Sequence, residues 1–406
     1  MRLNFGDQYT GTQSGVHTSV NTARKSACAT KRYSLLGASL ILKIAHIDTG
    51  KDLRGGQDLL LSLARGLKQR GHRQLIVCPE GSPLAQRAAD DQQNVMPLAT
   101  MAALRRRLRE EKFDIVHAHD GKAQTISFLA SLGLPVCRVA SRLVAFTPRH
   151  PLIHRWKYSR TCRGVIALSQ SVRQVLLAAG VPDSQIEVIV PGIEMPRELP
   201  DFEGRTQARA LWGYSRDEFV IGHAAAFTYE KGQDVALEAA LLLASRLPRA
   251  RMLLVGDGPL RTDSRIDELA RAASGIAQLP GYVENLDEFY AALDLFIMPS
   301  RSEAWGLTAL RAMAYGLPVI ASNVGGLPEA IEHAKSGWLV PPKYPEALAD
   351  AIVEAASDPA RLCEVGRNAR ERAAQFSIAR TVEKTERFYL RLLADATIKK
   401  SSEPVS

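Results

Sequence analysis

The segment from Ile297 to Pro342 constrains the fold of this chain more than any other. The strand that enters it, Leu295–Met298, is a continuous apolar run, which is typical of a strand buried on both faces of a parallel sheet. A Gly-containing turn, a helix, a second apolar strand and a Gly-Gly turn follow. Glu303 and Gly306 therefore come just after the carboxyl end of a parallel strand, where open α/β sheets bind their ligands.

The turn after this strand also offers an anion site. The backbone N–H groups of Gly306, Leu307 and Thr308 open the next helix, and helix N-termini attract negative charge. A carboxylate, Glu303, precedes them by a few residues. A purely structural alternative is that Glu303 only complements the helix dipole. We favour a functional carboxylate, because it stands exposed at a strand end next to glycine.

Strand-like segments alternate with amphipathic helices in both halves of the chain. The strand-like segments are 40–46, 74–78, 113–117, 136–140, 165–167, 186–190, 219–224, 251–255, 295–298 and 318–321. The polar, Pro-rich stretch 194–204 separates the two halves and is the best-supported domain boundary. This pattern predicts an α/β protein with two Rossmann-like domains that face each other across a cleft.

The net charge of +9 is unevenly distributed. The range 121–182 contains no Asp or Glu, and a second basic cluster includes Arg105 and Arg106. A solvated surface is one interpretation. Nucleic-acid binding is disfavoured because neither interleaved aromatics nor a recognisable module is present. We favour attraction to anionic lipid or to a phosphorylated acceptor, with Lys122, Arg142, Arg105 and Arg106 as candidate contacts.

Cysteine usage and hydropathy bear on the compartment. The five cysteines are scattered, and none forms a C-x-x-C pair. Reduced thiols are therefore favoured over a disulfide framework or a zinc site. No apolar window reaches the length of a membrane span. We expect a cytoplasmic protein.

Several motifs occur in a specific order along the chain. They are Gly55-Gly56, His117-Ala118-His119, Glu230-Lys231-Gly232, Gly256-Asp257-Gly258, Ser300-Arg301-Ser302-Glu303-Ala304-Trp305-Gly306-Leu307, Gly316-Leu317-Pro318-Val319-Ile320, Gly325-Gly326-Leu327-Pro328-Glu329 and Ser336-Gly337-Trp338-Leu339-Val340. Each motif alone is weak, but the ordered set resembles the signature of glycosyltransferase family 4 over roughly residues 40–395. Members of this family are retaining enzymes of the GT-B fold that use nucleotide sugars.

Composition predicts a disordered basic tail at 1–38 and a flexible tail at 397–406. The resemblance implies the roles of the domains between them. They are an N-terminal Rossmann-like acceptor domain at 39–198, a C-terminal Rossmann-like nucleotide-sugar domain at 199–380, and a C-terminal helix at 381–396 that packs back toward the N-terminal domain. The composition of the first segment also resembles a transit peptide, and a mis-assigned start codon is an equal alternative.

The resemblance also implies catalytic roles. Glu303 would hold hydroxyls of the donor sugar, and Lys231 would neutralise the leaving diphosphate. His119 would contact the acceptor or the developing charge at the anomeric carbon. His117 lies on the same strand face and is a possible support for it. The alternatives are a solvated lysine for Lys231 and a hydrogen-bonded strand-end histidine for His119.

The remaining donor-binding candidates are mainly glycines. Gly55, Gly56, Gly256 and Gly258 would let backbone N–H groups approach the phosphates, together with the helix start at Gly306, Leu307 and Thr308. Ordinary tight turns are the alternative explanation for each glycine.

Two positions depart from the family pattern. Arg311 stands where relatives have a second glutamate that grips the ribose, and a guanidinium carries only donors. Ala226 stands where relatives usually have an arginine for the diphosphate. We hypothesise that Arg311 replaces the missing positive charge.

The expected activity is therefore retaining transfer of a sugar from a nucleotide-sugar donor to a glycan or lipid-linked acceptor. Lipopolysaccharide, capsule or exopolysaccharide assembly at the inner face of the plasma membrane is the expected setting. We expect no cofactor and no metal, because no D-x-D tract is present, and no nucleic-acid partner. The absence of G-x-G-x-x-G after the first strand disfavours an NAD-dependent oxidoreductase. A second alternative is a catalytically impaired relative that binds a nucleotide sugar or a partner without turnover.

Overall fold

The computed structural model describes residues 40–145 and 151–401. The tail predicted at 1–38 lies outside these residues, as does the end of the chain beyond Ser401.

The N-terminal half forms a seven-stranded parallel sheet in the order β3-β2-β1-β4-β5-β6-β7. Its strands are β1 Lys43–Ile47, β2 Arg73–Cys78, β3 Val95–Pro97, β4 Ile115–Ala118, β5 Cys137–Arg142, β6 Gly164–Ala167 and β7 Ile186–Val188. The helices between them are α1 Gly55–Gln69, α2 Pro83–Asp90, α3 Met101–Glu111, α4 Gly121–Ala130, α5 Pro151–Arg160 and α6 Gln170–Ala178. A 3₁₀ turn, Asp183–Gln185, precedes β7.

The C-terminal half forms a six-stranded parallel sheet in the order β10-β9-β8-β11-β12-β13. Its strands are β8 Phe219–Ala224, β9 Ala250–Val255, β10 Ala277–Gly281, β11 Leu295–Met298, β12 Val319–Ser322 and β13 Trp338–Val340. Its helices are α7 Phe202–Leu211, α8 Gln233–Arg246, α9 Ser264–Ala272, α10 Asp287–Ala292, α11 Leu307–Ala314, α12 Leu327–Ala330, α13 Pro345–Ser357 and α14 Pro359–Ala374. The 3₁₀ turns Tyr229–Lys231 and Pro259–Thr262 follow β8 and β9.

The two parallel sheets confirm the predicted α/β class with two Rossmann-like units. Apolar runs identified the central strands because those strands are buried on both faces: β4, β6, β11 and β12 contain no exposed residue. The sequence analysis missed β3, β10 and β13. These are short edge strands that are partly exposed, so their sequences lack a continuous apolar run.

The last helix, α15 Ile378–Ser401, returns to the N-terminal sheet and is longer than the predicted 381–396. Val382, Phe388, Tyr389 and Leu392 belong to the same buried cluster as β1, α1 and β4. The ring of Phe388 lies 2.5 Å from where a β-carbon at Gly164 would stand, so the glycine in β6 makes room for this helix. The chain thus crosses from one unit to the other twice.

Among the described residues, no helix is both long enough and apolar enough to cross a bilayer.

Candidate functional site

Lys231 and Glu303 meet at the carboxyl ends of two neighbouring strands, β8 and β11. Lys231 Nζ lies 2.5 Å from Glu303 Oε2, and the side chains are 26% and 11% exposed. The other carboxylate oxygen accepts a hydrogen bond from the Ala304 N–H at 3.2 Å. The structure therefore brings the two central residues of the predicted site into direct contact.

Glycine at 232 lets the Lys231 loop approach the strand that carries Glu303. Gly232 has a φ of +69°, and a β-carbon there would lie 2.2 Å from the carbonyl oxygen of Pro299. Any larger residue would push the loop away from β11. Arg301 reinforces the same contact, because its N–H donates to the carbonyl of Glu230 at 2.7 Å.

The predicted anion site at the start of α11 is present. Gly306 is the residue before the helix, has a φ of +94°, and supplies no side-chain cap. The first N–H groups of α11, from Leu307 and Thr308, therefore have no side-chain partner at this helix start. Such N–H groups can bind phosphate oxygens.

Gly55 and Gly56 form the first turn of helix α1, so the alternative of an ordinary tight turn is wrong for these two glycines. Arg54 precedes the helix in an extended conformation, and its N–H donates to the side chain of Gln57 at 3.1 Å, which starts the helix earlier than expected. A β-carbon at Gly55 would lie 3.5 Å from Leu307 Cδ1, so the two helix starts face each other across the cleft.

Gly256 and Gly258 have a packing role. A β-carbon at Gly256 would stand 1.9 Å from the carbonyl oxygen of Ala225, and one at Gly258 would stand 2.6 Å from that of Phe227. These glycines let the loop after β8 lie against the end of β9. This contact explains both residues without a phosphate.

Three histidines cluster in the N-terminal unit beneath α1 and α15. His46 in β1 and His117 in β4 are paired in register, and His119 follows two residues later on the same face. His46 Nδ1 lies 3.0 Å from His119 Nε2, while His117 contacts the Tyr389 hydroxyl at 2.7 Å and the Ser141 hydroxyl at 2.8 Å. The sequence analysis named His117 and His119 but missed His46.

Burial keeps these histidines neutral. It lowers the pKa of His46 to about 4, although the hydrogen bond to Gln74 raises it. Burial also holds the pKa values of His117 and His119 well below 6.5, with a smaller contribution from the neighbouring imidazoles. One nitrogen from each ring lies within 4.8 Å of the others, so the cluster is the group of described residues that could hold a metal ion. However, five of the six ring nitrogens already have hydrogen-bond partners in the protein.

A fourth buried histidine, His223, lies beside the ion pair. Its Nδ1 lies 3.0 Å from the carbonyl oxygen of Ile297, so that nitrogen carries the proton and Nε2 is left buried without a partner. Burial is the main cause that lowers its pKa to about 4; Lys231 also lowers the pKa, whereas the hydrogen bond to Ile297 and the charge of Glu303 raise it. A histidine at the penultimate position of an otherwise apolar strand was the signal available in the sequence.

A cleft of about 780 Å³ opens next to the histidine cluster at the carboxyl ends of β1 and β4. Its lining residues include Thr49, Gln57, Asp120, Lys122 and Lys157. Asp120 caps α4 and also accepts hydrogen bonds from the backbone and side chain of Thr49, which fixes the loop that forms the wall. Lys122 is exposed at this rim.

The remaining basic candidates differ in their surroundings. Arg142 is 2% exposed and packs over the Tyr158 ring, so its prediction as a membrane contact is wrong. Its role as an acceptor contact stays a prediction. Arg105 donates to the carbonyls of Ala130 and Leu132, at the end of α4. Arg106 is exposed on the same helix, α3.

Comparisons with known proteins match both units of this chain. The family model Glycosyltransferase Family 4 matches residues 53–197, and the model Glycosyl transferases group 1 matches residues 218–358. A D-inositol 3-phosphate glycosyltransferase of Rhodococcus opacus (strain B4) is 31% identical over 306 residues, which are 69% of this chain and 68% of that protein. The chain belongs to glycosyltransferase family 4.

Solved structures show that this family 4 glycosyltransferase has the GT-B fold. Anabaena HepE in complex with UDP has a TM-score of 0.77 and 22% identity, covering 85% of this chain and 98% of its own. WaaG, a glycosyltransferase involved in lipopolysaccharide biosynthesis, has a TM-score of 0.66 and 17% identity, covering 84% of this chain and 98% of its own. The predicted fold is confirmed.

Of the two departures from the family pattern, Arg311 contacts the opposite unit of this glycosyltransferase, and Ala226 follows the carboxyl end of β8. Arg311 Nη1 lies 3.5 Å from Asp58 Oδ2 of the opposite unit, next to the Gly55–Gly56 turn. The carbonyl of Ala226 accepts a hydrogen bond from Gln233 at 2.8 Å, and its methyl side chain offers no charge. Arg311 therefore lies beside the start of α1, where Gly55 and Gly56 are candidate phosphate contacts.

Glu329 joins the two units of the glycosyltransferase directly. Its carboxylate accepts hydrogen bonds from the backbone N–H groups of Gln170 and Ser171, both at 2.9 Å, at the N-terminus of α6. The carboxylate thereby satisfies N–H groups that α6 could not pair internally. The sequence analysis did not assign this residue a role.

Proposed function

We propose that this protein is a retaining glycosyltransferase that transfers a sugar from a nucleotide-sugar donor, of the UDP-hexose class, to an anionic acceptor. The Lys231–Glu303 pair carries the proposal, because it sets a cation and a carboxylate side by side at the carboxyl ends of β8 and β11. Complexes of Anabaena HepE with UDP and with UDP-glucose support the donor class.

The C-terminal unit supplies the groups that a departing nucleotide needs. Lys231 and the free N–H groups at the start of α11 offset the negative charge that grows on the diphosphate as the glycosidic bond breaks. Glu303 then accepts hydrogen bonds from donor-sugar hydroxyls through the lone pairs that Lys231 and Ala304 leave unused. The acceptor hydroxyl attacks from the face that the phosphate leaves, and the phosphate takes its proton. No metal is required in this proposal.

The N-terminal cleft suits an anionic acceptor. Lys122 and Lys157 line it, and no Asp or Glu occurs in the range 121–182 that forms much of its wall. Asp120 also lines the cleft, but its carboxylate already accepts hydrogen bonds from Thr49 and from the start of α4. Relatives named D-inositol 3-phosphate glycosyltransferase, and WaaG in lipopolysaccharide biosynthesis, support a phosphorylated glycan or lipid-linked acceptor. We therefore propose that the enzyme acts in the assembly of lipopolysaccharide, capsule or exopolysaccharide.

The decisive experiment is a thermal-shift screen of the purified chain against UDP, GDP, ADP, CMP and their sugars. A nucleotide present at about 100 times its Kd stabilises a protein by about 2.7 kcal/mol, which a melting curve resolves. The donor that stabilises the protein is then incubated with phosphorylated glycan acceptors, and the anomeric configuration of the product is read by NMR. An inverted product contradicts retention. Tight nucleotide binding without hydrolysis or transfer of any sugar favours the alternative, an impaired relative, to which Ala226 and Arg311 point.

We also propose that the N-terminal unit docks on the inner face of an anionic membrane. Trp156 is 55% exposed and packs edge-on against Phe128 of α4, close to exposed Leu129 and Leu132. Arg105 binds the end of α4, so basic α3 adjoins this apolar group. Aromatic and basic side chains together favour an anionic lipid surface.

Vesicle sedimentation tests the membrane proposal. Binding to vesicles with anionic lipid is expected to fall steeply between low and high salt, because the Debye length shortens. Trp156→Ser is expected to weaken binding, whereas Tyr344→Ser, at an exposed aromatic residue of the other unit, is a control that should not. Equal binding to neutral vesicles at high salt contradicts the proposal.

A further inference from the structure

A chain of hydrogen bonds runs through the interior of the N-terminal unit to His119. Gln74 Nε2 donates to the carbonyl oxygen of Ala64 at 2.7 Å. Gln74 Oε1 lies 3.0 Å from His46 Nε2, and His46 Nδ1 lies 3.0 Å from His119 Nε2. The chain thus begins at a backbone carbonyl of α1 and ends at an imidazole.

The carbonyl fixes the direction of every bond in this chain. A carbonyl oxygen only accepts, so the amide nitrogen of Gln74 faces Ala64 and the amide oxygen faces His46. That oxygen also only accepts, so His46 carries its proton on Nε2. Because His46 is neutral, its Nδ1 holds a lone pair and accepts the proton of His119 Nε2.

His119 is then left with a lone pair on Nδ1. Burial keeps the ring neutral, and its one proton is on Nε2. Nδ1 has no hydrogen-bond partner among the described residues. It is also not fully buried, because it is absent from the set of buried polar atoms that lack a partner in those residues. The side chain is 3% exposed, next to the cleft that contains Asp120.

His117 does not belong to this chain. Its ring lies 4.1 Å from that of His119, but its nitrogens pair with Tyr389 and Ser141. A metal ion on the three histidines would need a lone pair from each ring, and the protein already uses the lone pair of His46 to hold His119.

We propose that Gln74 and His46 are positioning residues that hold His119 in the tautomer with a lone pair on Nδ1, so that His119 accepts a hydrogen bond from a sugar hydroxyl in the cleft. The inference rests on the proposed function, since it requires that His119 face the reacting sugars. In the opposite tautomer Nδ1 would carry a proton, so it could only donate to the hydroxyl oxygen and could not accept the hydroxyl proton. Neither positioning residue touches the sugar.

The tautomer can be read directly. In the full chain labelled with ¹⁵N-histidine, we expect His119 to show a protonated, pyrrole-type Nε2 and an unprotonated, pyridine-type Nδ1 at neutral pH. Gln74→Leu removes the acceptor of the His46 Nε2 proton, so that His46 and His119 can both change to the opposite tautomer. The two His119 nitrogen shifts should then move toward each other, and kcat for sugar transfer should fall by ~10-fold or more while the KM for the nucleotide sugar changes little.

His72→Gln is the matched control. His72 is a buried histidine of the same core that binds the Leu42 N–H and Glu386, outside the chain to His119. The His72→Gln variant should have a lower free energy of unfolding, but the ¹⁵N shifts of His119 and kcat for sugar transfer should stay unchanged. A proton on Nδ1 in the native protein, or unchanged shifts in Gln74→Leu, overturns the proposal.

Two further outcomes distinguish the hydrogen-bond chain from a metal site and from the proposed function. Stoichiometric binding of added zinc that shifts the resonances of all three histidines overturns the proposal in favour of a metal site. The expected shifts, found in a protein that transfers no sugar from any donor, leave the hydrogen-bond chain standing and contradict only the proposed function.

Discussion

A β-carbon at Gly325 would stand 1.7 Å from the carbonyl oxygen of Glu303. The N–H of Gly326 donates to that same oxygen at 3.2 Å, so the Gly-Gly turn lies directly against the backbone of the central carboxylate. The turn therefore fixes the position of Glu303, in addition to opening α12.

Gly325→Ala should displace Glu303 and reduce sugar transfer by about 100-fold, since a displacement of about 1 Å at a reacting group has that effect. The control is Gly81→Ala. Gly81 has a similar positive φ of +67°, against +57° at Gly325, but a β-carbon there meets nothing within 4 Å. Both variants carry backbone strain of about 1 kcal/mol. Urea unfolding first checks that both variants are folded, and kcat is then measured. Equal kcat in the two variants would falsify the role of Gly325 in positioning Glu303.

Lys231→Ala should lower kcat/KM for the donor by about 100- to 1,000-fold, because the leaving diphosphate loses its direct cation. Nucleotide affinity, measured by calorimetry, should fall as well. Glu303→Gln keeps the shape of the side chain but loses the charge, and we expect it to lower kcat more than it changes nucleotide affinity. Lys335→Ala, at an exposed lysine of the same unit that pairs with Glu332, should leave both quantities unchanged.

The architecture was readable from the sequence because it depends on local signals. Apolar runs mark the strands that both sheet faces bury, and the ordered motifs place Glu303 and Lys231 at adjacent strand ends. Edge strands such as Val95–Pro97 were missed because they have a neighbouring strand on one side only. Their other side faces solvent, so their sequences are less apolar.

Contacts between distant segments could not be predicted. Nothing local in the sequence indicates that Gln74 and His46 are hydrogen-bonded in a chain to His119, or that Glu329 binds the start of α6. Such contacts depend on strand order and on how the two units meet. The burial of Arg142 shows the same limit, because a charged residue in an acid-free tract gave no sign that its strand is interior.

Arg311→Glu tests whether this arginine compensates for the neutral Ala226. If Arg311 binds the donor diphosphate, charge reversal should weaken donor affinity by about tenfold or more, an effect typical of charge-assisted phosphate contacts. Asp58→Asn is the matched variant, because it removes the partner of Arg311 across the cleft without changing the arginine. It should leave donor affinity unchanged or raise it. Unchanged or improved donor affinity in Arg311→Glu contradicts the hypothesis.

Stability should fall as the pH drops below about 6.5, because four buried histidines must stay neutral in the folded protein. Burial lowers the pKa of His46 and His223 to about 4 and lowers those of His117 and His119 strongly. Between pH 6.5 and 4 the unfolded chain therefore binds more protons than the native one, which favours unfolding by about 3 kcal/mol for a histidine shifted from 6.5 to 4. Asp48 opposes this in part, since burial raises its pKa and the native state gains a proton there.

Urea unfolding at pH 7.5, 5.5 and 4.5 measures the slope of the unfolding free energy against pH. His223→Gln should reduce it, whereas His333→Gln, at an exposed histidine, should not. A free energy of unfolding that stays constant from pH 7.5 to 4.5 would show that these histidines bind protons equally in the folded and unfolded protein, which contradicts the neutral hydrogen-bond chain that ends at His119.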